Sequence, residues 1–330
     1  MLQSLREFKT PRGGTAVLFL LLVGGFAGLA KAETNAEKLG YPAGKKILIL
    51  HADDLGMCYE ANQSAKENLP AGHFQSGSAM VPCPWFNEFA DWYKNHPDMD
   101  VGLHLSLTSE WKFYRWGPVS LKTDVPGLVD RDGYMHREVL GVVLAAKPEE
   151  VDKEIRAQID RAIAKGIKPG HIDTHMGTLY ARAEFTMAYL KAAVDYNIPA
   201  MVIEPSPKVI ERYRKQGMPV TEKSVQMLKD YPLPRLDDFY PVPEGKTYEE
   251  KRENFFALVR SLDPGITELI FHPSVETECL KNITGSWQQR SWEHKMFADP
   301  VVKEFFQKEG ILFTNWKEMM KRHEERKKSK

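Results

Sequence analysis

From residue 46 onward, short apolar runs alternate with longer amphipathic stretches. The runs Ile47 to His51, Gly77 to Val81, Val101 to Leu107, Gly170 to Asp173, Ala200 to Ile203, Glu268 to His272 and Ile311 to Thr314 predict strands. Apolar residues at helical spacing predict helices over Glu149 to Ala164, Glu184 to Tyr196 and Lys251 to Leu262. Strands and helices in alternation imply parallel strands joined by crossovers. The pattern is therefore an α/β fold, either a barrel or a doubly wound sheet, and about seven strands suit both. Residues 46–320 form one domain in this reading, because no Gly/Ser or Pro-rich linker and no internal repeat divides them.

Two stretches interrupt the rhythm. Thr108 to Lys147 holds Trp111, Phe113, Tyr114, Trp116 and Tyr134, and Ser206 to Gly245 is rich in Pro and charge. Long loops in a regular fold are often functional. Their aromatics suit stacking on sugar rings, and equally suit a satellite core beneath the loop.

The ends of the chain read differently. Arg6, Lys9 and Arg12 precede an apolar run from Thr15 to Leu29 that closes on Ala30-Lys31-Ala32. This is the order of a secretory signal peptide, with cleavage expected after Ala32 and an exported, periplasmic or secreted, product. The run is short for a membrane span, so no stable membrane insertion is expected after cleavage. Residues 33–45 lead into the domain, and residues 321–330 form a charged tail that reads as a solvated helix end. Without residues 1–32 the chain carries a formal charge of −3, which argues against a nucleic-acid partner. Cys58, Cys83 and Cys279 lie far apart with no CxxC spacing and form no zinc cage; which of them an exported protein would join is open.

The chemistry collects where the predicted strands end. Lys46 to Leu50 is an apolar run that delivers His51-Ala52-Asp53-Asp54. Two adjacent carboxylates at the mouth of a buried strand repel each other and lose solvation, so they call for a cation, a proton or hydrogen bonds. One of them capping a helix that begins near Glu60 is the competing reading. His104 ends the third run, His171, Asp173 and His175 cluster at the fourth, and His272 ends another. In barrels and open α/β sheets the carboxyl ends of the strands build the site. One Asp and two His around a divalent ion leave positions open for water and substrate. A second carboxylate then serves as base, and a histidine across the site as acid.

The segments HADDLG, GLHLSLT, HIDTH and ELIFHPS, in that order, resemble the motifs of the YdjC-like (ChbG-type) carbohydrate deacetylases, which are related to the NodB-type polysaccharide deacetylases. The stretch from Trp287 through Arg290, Glu293 and Asp299-Pro300-Val301 to Gly310-Ile311 is similar to that family's C-terminal end, so the resemblance runs from about Lys46 to Trp316. It implies a distorted parallel (β/α) barrel and removal of an N-acetyl group from an amino sugar or oligosaccharide. It implies Asp54, His104 and His175 as metal ligands, Asp53 as general base and His272 as general acid. His171 and Asp173 are expected to orient His175, and Arg290 to hold the base carboxylate or, preferably, to pair with Glu293.

The divalent ion is expected to be zinc or magnesium, the substrate an N-acetylated carbohydrate, and a homodimer is compatible with the sequence. The chain departs from the family pattern at His51, where Asn is common, at Met176-Gly177, where further histidines are common, and at Ser274, where glycine is usual. These departures bear on substrate identity, and His51 is the first place to look for a difference in specificity. Two other readings stand beside the deacetylase. A metal phosphohydrolase would use the same Asp and His chemistry, although no Gly-rich phosphate cradle is present. A non-catalytic carbohydrate-binding protein would share the scaffold.

Overall fold

A computed structural model describes residues 33–218 and 220–329. The signal peptide expected over residues 1–32 lies outside the described residues. Seven strands make one sheet: β1 (Lys46–Leu55), β2 (Ser76–Ala79), β3 (Val101–Leu105), β4 (Ile172–Thr174), β5 (Asp238–Pro241), β6 (Gly265–Phe271) and β7 (Leu312–Phe313). Their order is β4-β3-β2-β1-β6-β5, with β7 added to the start of β1, and every pairing is parallel.

The sheet curls into a distorted (β/α) barrel, and two single bridges span its open side. Ala200 pairs with Ile172 beside β4, and Ile203 pairs with Leu236 just ahead of β5. The expected strand over Ala200 to Ile203 is thus only these two bridges. The strand missing from the sequence reading is β5, which lies inside the stretch rich in Pro and charge. Its four residues are half-buried or exposed, and its short apolar part, Phe239-Tyr240, runs straight into Pro241.

The predicted helices are present as Pro148–Ala164, Ala183–Tyr196 and Tyr248–Ser261. Each packs an apolar stripe on the barrel; Val151, Ile155 and Ile159 of the first are fully buried. The stretch 206–245 is not a loop but carries helices Pro207–Lys215 and Glu222–Asp230 as well as β5. The charged tail belongs to a helix, Trp316–Lys328, anchored by buried Trp316 and Met319. All three cysteines are free. Among the described residues no helix is long and apolar enough to cross a membrane.

β1 is the centre of the sheet and is buried from Ile47 to Leu55. It runs four residues beyond the expected His51, through both aspartates. Its pairing with β2 shifts register between Ala52 and Leu55. In a regular strand Asp53 and Asp54 would point to opposite faces. Asp54 instead adopts φ 64° and Gly56 φ 77°, so the backbone turns within the irregularity and both carboxylates reach one rim. Aspartate is among the few L-residues that take this left-handed conformation readily.

Candidate active site

Three groups meet at the mouth of the barrel. The ligand atoms of Asp54, His104 and His175 all lie within 4.8 Å of one another and all three residues are buried. Asp54 Oδ1 is 3.6 Å from His104 Nε2 and 3.6 Å from His175 Nδ1. Neither oxygen of Asp54 accepts a hydrogen bond. A buried carboxylate with unused lone pairs, facing two imidazole nitrogens, is a donor set that fits a divalent cation such as zinc.

Neither aspartate caps a helix. The helix Tyr59–Asn68 starts at Cys58 without a side-chain cap. The charge of Asp54 is met by Arg290, whose Nη2 lies 2.8 Å from Oδ2. Burial opposes ionisation of Asp54, but Arg290, with His272, His175 and His104, holds its carboxyl far below the ordinary range. The expected Arg290–Glu293 pair is replaced, since Glu293 bonds the buried Lys251 at 2.9 Å and accepts from the backbone N–H of His272 at 2.8 Å. Arg290 meets Asp54 and not Asp53.

The imidazoles are held from behind by carboxylates. Asp173 lies opposite His104 in the β3–β4 register, so the two side chains share a face and His104 Nδ1 meets Asp173 Oδ1 at 2.6 Å. This directs Nε2 toward Asp54. Burial disfavours the His104 cation, yet Asp173 and Asp53 outweigh it and push the pKa up to about 9. Asp173 was expected to orient His175; Glu110 does so, with both carboxylate oxygens 3.1 Å from His175 Nε2. Nothing in the sequence pointed to Glu110, which is 65 residues away from its partner in the loop after β3.

Asp53 stands beside this group of three. Its Oδ2 is 3.8 Å from Nε2 of His272, which directly follows β6; Asp53 is buried, whereas the His272 side chain is 36% exposed. Ser78 of β2 sits between strands, 3.1 Å from His51 Nε2 and 3.4 Å from both Asp53 Oδ1 and His104 Nδ1. A serine alternating with small residues in a buried strand was a legible signal for it.

His51 is fully buried and does not face the cavity beside the site. Its Nε2 lies 3.1 Å from Asp53 Oδ1 and 3.1 Å from Asp173 Oδ2, and its Nδ1 is 3.8 Å from Glu268. Those acids overcome burial and raise its pKa well above the usual value. His51 therefore ties Asp53 to Asp173, the residue behind His104, from a position away from the cavity. Glu268, raised to about 7 by burial, accepts from Trp316 Nε1 at 2.6 Å. His171 stacks on Trp316 and meets His51 edge-on, with burial lowering its pKa. Gly102 makes room for it, since a Cβ there would lie 2.3 Å from the His171 ring.

The aromatics of the 108–147 stretch divide. Trp116 is buried in a satellite cluster with Met57, Met80 and Met135, against which Tyr114 packs. Trp111 is half-buried, its ring 6.3 Å from that of His175 and 5.7 Å from the Arg290 guanidinium. It is the aromatic placed to stack on a ligand at the rim.

Residues 47–308 match the model of the YdjC-like protein family. The chain belongs to that family. Among relatives of this YdjC-like chain, a carbohydrate deacetylase of Thermus thermophilus is 31% identical over 272 residues, covering 81% of this chain and 91% of the relative. A carbohydrate deacetylase of Thermoanaerobacter pseudethanolicus is 27% identical over 271 residues, covering 82% and 98%. The crystal structure of an Enterococcus faecalis protein assigned to cellobiose-phosphate cleavage superposes with a TM-score of 0.69 at 25% identity, covering 84% of this chain and all of that one.

Proposed function

We propose that this YdjC-like protein is a metal-dependent carbohydrate deacetylase that hydrolyses the N-acetyl group of an amino sugar or oligosaccharide and releases acetate. The observation that carries the reading is the meeting of Asp54, His104 and His175 at one rim with Asp53 and His272 beside them. Two relatives named as carbohydrate deacetylases, matched over nearly their whole length, support it. A divalent ion held by Asp54, His104 and His175 would polarise the acyl carbonyl and lower the pKa of the attacking water.

The chain's own groups account for the protons. Asp53 accepts a proton from the water as its oxygen bonds to the carbonyl carbon. His272 gives a proton to the nitrogen as the C–N bond breaks, so the products are a carboxylic acid and an amine, which part as carboxylate and ammonium once the acid's proton passes to the amine. Asp173 and Glu110 keep the two imidazoles oriented, and His51 keeps Asp53 in place. Trp111 offers a face for the sugar ring. An exported location, argued from the leader, belongs to the same proposal.

The test is acetate release from N-acetylglucosamine oligomers with and without a chelator. Activity that needs metal and is lost in Asp53→Asn is the expected result. A metal-loaded protein inert on a broad panel of acetylated sugars and esters, with Asp53→Asn changing nothing, overturns the reading.

A further inference from the structure

A cavity of about 500 Å³ runs from the rim toward the β5 side of the barrel. Asp53, His104, His175 and His272 form one edge of it, so it is continuous with the site. Beyond that edge the wall turns apolar. Met201, Ile203, Phe239 and Ile270 line the barrel side, and Ile210 and Val225 belong to the two helices that roof it.

Three hydroxyls in this wall already donate to backbone carbonyls, and Tyr213 lies against the Arg212 guanidinium. Tyr180 donates to the carbonyl of Met201, Thr186 to that of Leu179 at 2.9 Å, and Ser224 to that of Thr221 at 2.8 Å. Glu268 at the floor accepts from Trp316. A sugar ring buried here would leave its hydroxyls short of partners, a cost that a sugar subsite avoids by presenting donors and acceptors. An aliphatic chain meets no such cost.

The roof points the same way. Helix Glu222–Asp230 contains no buried residue, yet Val225 and Leu228, three apart on one face, both line the cavity. Met227 and Leu228 also pack on the core, so the helix is held there while Val225 and Leu228 remain over the cavity to cover an apolar ligand.

Resting on the hydrolase reading of the rim, we infer that the substrate carries an aliphatic chain that lies in this cavity, either as the acyl group removed or as the aglycone of the amino sugar. Hydrolysis follows the same balance: water supplies the carboxylate oxygen and the amine leaves with its proton. Each methylene taken from water is worth roughly fourfold in binding. A chain of a few methylenes therefore yields a gain that is easy to measure.

Three substrates test this on the metal-loaded protein: methyl N-acetylglucosaminide, octyl N-acetylglucosaminide and N-octanoylglucosamine. The expected result is a kcat/KM at least about tenfold higher for one of the octyl compounds than for the methyl glycoside. The arm that gains identifies the source of the chain. Val225→Trp and Ile210→Trp, which fill the cavity from the roof, should each remove the gain and leave the methyl glycoside unchanged. Calorimetric binding of the same octyl compound to Asp53→Asn separates the two claims. Chain binding that Val225→Trp abolishes, alongside an unsubstituted metal-loaded protein that hydrolyses none of the three compounds, would uphold the cavity and overturn the hydrolase. Hydrolysis of the methyl glycoside with no octyl gain, or a gain that survives both tryptophan variants, would overturn the cavity inference alone.

Discussion

Asp173 Oδ1 accepts from His104 Nδ1 at 2.6 Å, the shortest of the contacts between a carboxylate and an imidazole described at the rim. The bond fixes both the ring's orientation and which nitrogen faces Asp54. Asp173→Asn should lower affinity for the divalent ion about 10- to 100-fold, as removal of a carboxylate behind a ligand histidine commonly does. Titration with zinc in a competing chelator reads the change directly. Recovery of kcat at high metal would show that the defect lies in holding the ion.

Glu110 does the same for His175 from a more exposed position, with 22% of its side chain accessible. Glu110→Gln should cost less, about tenfold in metal affinity, because water can replace part of its role. An effect as large as that of Asp173→Asn would contradict this ranking.

A divalent ion held at Nε2 of His104 would compete with a proton there. With a pKa of about 9, His104 must lose a proton for Nε2 to bind. Apparent metal affinity should then rise about tenfold per pH unit up to about pH 9 and flatten above it. In the metal-free protein the sign reverses. A histidine raised above its ordinary value stabilises the fold fully below pH about 6.5, and that contribution fades as pH rises to about 9. Glu268, raised to about 7, works in the same direction, because its folded form holds a proton that the unfolded chain releases from about pH 4.5 upward. Melting in chelator should therefore weaken from pH 5 to 9, and added metal should offset the loss most at the alkaline end.

Arg290 neutralises the Asp54 carboxylate, which is otherwise buried without a hydrogen bond. Arg290→Met should destabilise the metal-free protein by about 3 to 5 kcal/mol, the usual cost of leaving a buried charge alone. Bound metal supplies the missing positive charge, so the loss should shrink when melting is repeated in saturating zinc. Equal losses with and without metal would show that Arg290 acts by packing against Trp111 instead.

The alternation of apolar runs and amphipathic stretches was enough to read the parallel α/β fold and six of the strands, because burial on both faces leaves a continuous apolar signature. It was also enough to place Asp53, Asp54, His104, His175 and His272 at strand ends, where such folds build sites. β5 escaped because a short, half-exposed strand has no such signature, and the helices of residues 206–245 were hidden by their charge. What joins to what was decided only in three dimensions. Whether Asp173 serves His104 or His175, whether Arg290 meets Glu293 or Asp54, and that Glu110 belongs to the site at all depend on register between strands and on the turn at Asp54. These are contacts between residues distant in sequence, and no local periodicity encodes them. The apolar cavity is of the same kind, since Ile210, Val225, Phe239 and Ile270 are ordinary hydrophobic residues along the chain and face one volume only once the barrel has closed around it.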